Sequence, residues 1–177
     1  NVKAKDYEKS KLLIEQISEL VPSLDYKNLT TVEGISAITS TIIEAKKTLA
    51  ALEPKYENIL LYATQLNFAI DALGHKRQPL WHRYYVVINQ DLDRIKKSIE
   101  NKNNSEIELN LHRLQSHYNI IKPVLLVSKQ PFVIEKTDSL FTALFSQTIN
   151  QNKGIVLNQL ENEMYQLFYG NDQETWG

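Results

Sequence analysis

Apolar residues recur along this chain in alternating steps of three and four, the spacing that gathers side chains onto one face of an α-helix. Leu13, Ile17 and Leu20 share a face and Pro22 ends the run, which predicts a first helix over Asp6–Val21. Thr30 with Glu33 three residues later has the form of a capping box, in which each side chain satisfies a backbone N–H of the other residue. It opens a second helix whose stripe is Ile35, Ile38, Ile42, Ala45, Leu49 and Leu52. Pro54 is a boundary, because proline suits a first turn and not a helix interior. Beyond it Tyr56, Ile59, Ala63, Leu66, Ile70 and Leu73 align, with Gly74 as a stop. With almost no spacer at Pro54, a hairpin and a kinked continuous helix are both open.

Pro79 opens a fourth helix along Trp81, Tyr85, Ile88, Leu92, Ile95 and Ile99, closed by the polar run Asn101–Asn104. Ser105 and Glu108 form a second capping box for a fifth helix, with Ile107, Leu111, Leu114, Tyr118 and Ile121 in line and Pro123 as its limit. A sixth, Pro131–Ile149, carries Ile134, Phe141, Leu144 and Phe145; a seventh, Lys153–Phe168, aligns Val156, Leu160, Met164 and Leu167. A period near 3.5 keeps each stripe facing a partner when helices cross at about 20°. Strand signals are confined to Val124–Val127, too short to seed a sheet. The fold class expected is all-α: an antiparallel up-down bundle of about seven helices, flat or wound as stacked hairpins. The tryptophan, leucine, glycine and tyrosine spacing of tetratricopeptide repeats is missing.

A chain of 177 residues suits one helical domain over 1–177. The absence of cysteine excludes disulfides, thiol catalysis and cysteine-based metal sites. Twenty basic and 21 acidic residues leave a net charge of −1, without the basic excess that nucleic-acid binding needs, so no nucleic acid is expected as a partner. Locally, no acidic residue lies between Glu108 and Glu135, while His112, Arg113, His117, Lys122 and Lys129 do; a mildly basic face is the functional reading, chance bias on a solvated surface the plainer one. No run of 18 apolar residues occurs, and Gln147, Asn150, Gln151 and Asn152 interrupt the weakly charged stretch Ser139–Leu160.

Candidate chemistry is sparse. The four histidines, His75, His82, His112 and His117, include no i, i+4 pair with an intervening glutamate. His75 and His82 flank one turn and could approach each other, but capping or surface roles fit them better. Glu108 precedes His112 by four and not three, so the Glu-x-x-His pairs of di-iron bundles are missing. Asp91 and Asp93 point about 200° apart on a helix and cannot share a proton. No glycine-rich loop cradles phosphate. The expectation is a protein that is not an enzyme, with no catalytic, metal or cofactor-binding residues. Gln78-Pro79-Leu80-Trp81, with Tyr84 and Tyr85 beyond, is the most individual stretch. Exposed aromatics of this kind would suit a partner contact, yet Trp81 falls in register with Ile88, Leu92 and Ile95, as a core anchor does. Phe132, Phe141 and Phe145 are read in the same way, as core first and partner surface second. Asn28-Leu29-Thr30 and Asn103-Asn104-Ser105 match glycosylation acceptors and read better as loop and cap residues.

Asp71-Ala72-Leu73 followed by Gln78-Pro79-Leu80-Trp81 resembles the sporulation protein YpjB family of endospore-forming bacteria. The Tyr7-Glu8 helix, Ile35-x-x-Ile38-Thr39 and Tyr118-x-x-Ile121-Lys122-Pro123 fit the same resemblance, which spans most of residues 5–145 and is firmest over Thr31–Pro123. The resemblance implies an exported protein tethered to a bacterial cell membrane, with a helical extracytoplasmic region between hydrophobic segments absent from this chain. The start at Asn1 and the end at Glu174-Thr175-Trp176-Gly177 fit that expectation, and a tryptophan suits a membrane interface. No catalytic residues come with it. Three readings follow: a tethered, non-enzymatic module binding a protein partner, with Trp81, Tyr84 and Tyr85 as first contacts; a small-ligand sensor with a pocket between helices three to five lined by Tyr56, Asn67, Trp81 and Tyr118; and an enzyme built from scattered acids and histidines.

Overall fold

Apart from Leu52, the apolar seams lie on helices in the computed structural model, which describes residues 2–25, 29–74, 79–146 and 153–170, with side chains from residue 6 onward. Among these residues there are seven α-helices and no strand: α1 (Val2–Leu20), α2 (Val32–Leu49), α3 (Tyr56–Gly74), α4 (Tyr85–Glu100), α5 (Asn104–Ser128), α6 (Pro131–Phe145) and α7 (Lys153–Tyr169). Short 3-10 helices follow α1 at Val21–Ser23 and precede α4 at Leu80–Tyr84. The chain gathers into two compact units, residues 1–81 with 123–128, and residues 82–122 with 129–177. No helix of the described residues is long and apolar enough to cross a membrane. Asn28, His75, Gln78, residues 147–152 and the Glu174–Gly177 end lie outside the described residues.

In the first unit α3 packs along both α1 and α2. The face α1 buries is Ser10, Ile14 and Ile17, continued by Val21 of the 3-10 helix, whereas Leu20, expected on that face, is exposed. The true stripe runs one residue further round the helix. On α2, Ile38, Ile42 and Ala45 are buried, but Leu52 is fully exposed, because the helix stops at Leu49 and the Ala50 N–H bonds back to the Lys46 carbonyl. The backbone then turns, and α3 packs back on α2, so Pro54 stands in a hairpin connection and not in a kinked helix.

The start of α2 also differs from the expected capping box. Thr31 is the N-cap, its hydroxyl accepting from the Gly34 N–H at 3.2 Å. Thr30 instead donates its hydroxyl to the Val127 carbonyl at 2.6 Å. Gly34 is the close-approach point beside it: a Cβ there would lie 2.9 Å from the Leu126 carbonyl oxygen and 2.0 Å from Thr30 Oγ1.

Pro79 opens a 3-10 turn and not the expected α-helix, which begins at Tyr85. In the second unit α4 ends in a Schellman arrangement: Asn103 N–H bonds to the Ser98 carbonyl and Lys102 N–H to that of Ile99. Lys102 takes the left-handed conformation at φ 53°. Asn103 then caps α5, its Oδ1 accepting from the Glu106 N–H at 3.2 Å, in place of the expected Ser105. Nor does α5 stop at Pro123; it continues to Ser128. Proline removes one helix bond, to the Asn119 carbonyl, but Asn119 is on the exposed side while Val124, Leu125 and Val127 are buried. Burial outweighs the single bond, and the weak strand signal at Val124–Val127 is overridden. At the end of α6, Ser146 bonds back to Thr142 and Ala143, and the helix finishes at Phe145. The seam of α7, Leu157, Leu160, Met164 and Leu167, is buried with Phe168.

Candidate functional site

With Leu160, Met164 and Leu167 turned inward, α7 carries Tyr165 and Tyr169 on the neighbouring strip of its surface, one turn apart. They are 51% and 47% exposed. Helix α4 packs beside α7 and brings half-buried Tyr85 to them. Its ring centroid is 5.1 Å from Tyr169, 6.1 Å from Tyr165 and 5.1 Å from Phe168. Tyr165 and Tyr169 are 5.2 Å apart, and His82 closes the group 5.9 Å from Tyr169. Most of the rings meet edge to face or tilted, the arrangement their quadrupoles favour. Phe168 forms a buried floor; burying a side chain of that size stabilises by about 1.5–3 kcal/mol and holds the rings above it in place.

Burial first, then the Glu161 carboxylate and, more weakly, Tyr169, Tyr165 and Asp93, push the Tyr85 phenol above its ordinary value. Glu161 is also paired with Lys96 at 2.6 Å.

A second polar group lies in the same unit. Asp91 is 0% exposed and stands in register with Ile88 and Ile95 on the core side of α4. One carboxylate oxygen accepts from His117 Nδ1 of α5, the other from Arg94 at 2.9 Å. Tyr84 meets the His117 ring edge to face at 6.2 Å. Burial and then the Asp91 charge push the Tyr84 phenol up to about 12. A carboxylate holding an imidazole is also how hydrolases orient a general base; here Arg94 occupies the remaining carboxylate oxygen. Among the described residues no three metal-ligating side chains converge.

The four expected contact residues therefore have different surroundings. Trp81 is buried in the first unit, as the core-anchor reading has it. Tyr84 leans on His117, and Tyr85 belongs to the aromatic patch. Tyr118 is buried in the second unit, 5.0 Å from Phe141. Burial and then the nearby Asp138 carboxylate push its phenol up, yet its hydroxyl has no partner in hydrogen-bond geometry; Lys122 pairs with Asp138 at 2.7 Å. Of the other proposed pocket residues, Asn67 faces outward from α3, and Tyr56 lies beside Asp6 of α1. The basic stretch of α5 meets acids from neighbouring helices, His117 with Asp91 and Lys122 with Asp138.

Sequence reasoning missed Tyr165, Tyr169 and the Asp91–His117 pair. The signals were present: tyrosines at i, i+4 just off the α7 seam, and a carboxylate in register with an apolar stripe. The family described as Sporulation protein YpjB (SpoYpjB) matches residues 1–176 of the chain. No curated protein and no solved structure matches it.

Proposed function

The chain belongs to the sporulation protein YpjB family, and from that premise we propose that it acts in spore formation as a non-enzymatic, extracytoplasmic interaction module that binds a protein partner. The observation that carries the reading is the patch of Tyr85, Tyr165 and Tyr169, in which half-buried Tyr85 supports two rings, Tyr165 and Tyr169, that are open to solvent. Tyrosines in this setting offer contact area with little side-chain entropy to lose, which is why they anchor protein interfaces. The membrane attachment that accompanies this reading would come from segments other than the seven helices.

The experiment places a photo-cross-linking residue at position 165 of the full-length protein in sporulating cells. The expected result is a discrete cross-linked protein that disappears when the probe is moved to exposed Glu57 on α3. Absence of any discrete product overturns the interaction reading. Protease treatment of intact protoplasts tests the compartment: digestion of the helical region supports an outer location, and complete protection overturns it.

A further inference from the structure

We draw no further inference here: the strongest candidate, the aromatic surface patch of Tyr85, Tyr165 and Tyr169 on α4 and α7, belongs to the site already described, and nothing in the structure shows what covers it.

Discussion

The Asp71 carboxylate, in the last turns of α3, accepts a hydrogen bond from the Leu80 backbone N–H at 2.5 Å. Pro79 has no N–H to offer, so Leu80 is the first donor of the 3-10 helix that follows, and Asp71 acts as its cap across the connection. The bond fixes the backbone directly before Trp81, which is buried. Asp71 and the Pro79-Leu80-Trp81 run, separate in sequence, are thus parts of one structural device.

Replacing Asp71 with alanine removes that cap. The bond is exposed to solvent, so the loss belongs at the ordinary level for a cap, about 1 kcal/mol. Asp71→Asn keeps an acceptor oxygen and should lose less. Urea midpoints measure both, and a Trp81 emission change accompanying Asp71→Ala only would show that the connection has loosened. Equal stability of all three proteins would rule the cap out.

Gly34 tests the close approach of α2 to residues 126–127. Alanine is the better helix former by about 1 kcal/mol, which alone would stabilise. Its methyl group would press on the Leu126 carbonyl and displace the Thr30 hydroxyl from Val127. Overpacking of this kind costs about 1–3 kcal/mol, so the net expectation is a loss. A raised melting temperature in Gly34→Ala would show that the contact yields easily.

Long seams were legible because their spacing repeats over several turns: Ile38, Ile42 and Ala45 on α2, and Leu160, Met164 and Leu167 on α7, are buried where the pattern puts them. Helix ends were less so. At residues 30–31 and 103–105 several oxygen-bearing side chains compete for one role, and a distant partner decides the outcome, as the Val127 carbonyl does for Thr30. Tyr85 could be singled out locally, but its neighbours Tyr165 and Tyr169 arrive from a helix some eighty positions on, and no local pattern announces that pairing. The acids that pair with His117 and Lys122 in the basic stretch of α5 are likewise supplied by other helices.

Lys102 holds the left-handed position that glycine usually takes at a helix end. A side chain there carries a steric penalty of about 1–2 kcal/mol that glycine lacks. Glycine also leaves the unfolded chain freer, which offsets part of the gain. Lys102→Gly should therefore stabilise by a fraction of that penalty, and β-branched Lys102→Val should destabilise. Thermal melts of the two variants must move in opposite directions for this account of the turn to stand.

Alkaline pH should weaken the fold through its buried phenols. An unfolded tyrosine titrates near pH 10, while Tyr84 is held up to about 12 by burial and then by Asp91, and Tyr118 is raised by burial and then by Asp138. Between about pH 10 and 12 the folded chain keeps protons that the unfolded chain has released. The stability contributed by these groups is complete below about pH 10 and is lost as pH rises through the folded values. Urea midpoints should fall over that range, and more gently in Tyr84→Phe. Near-ultraviolet absorbance should show at least two tyrosines ionising late, and a simultaneous titration of all nine would contradict the burial described.

The Asp91–His117 pair predicts an order among variants that depends on which charge is left behind. Asp91 is 0% exposed, whereas the side chains of His117 and Arg94 are 29% and 48% exposed and can turn toward water. His117→Leu strands the carboxylate in the core with Arg94 as its remaining partner, which should cost about 3 kcal/mol. Asp91→Asn removes the charge, keeps the shape and leaves its former donors near solvent, so about 1–2 kcal/mol is expected. Adding Asp91→Leu to His117→Leu takes the stranded charge away and should recover part of the loss, since apolar groups replace buried ion pairs at little cost. Chemical denaturation of the three variants decides it. The double variant must be more stable than His117→Leu alone, because the liability is the buried carboxylate left with Arg94 alone and not the missing imidazole.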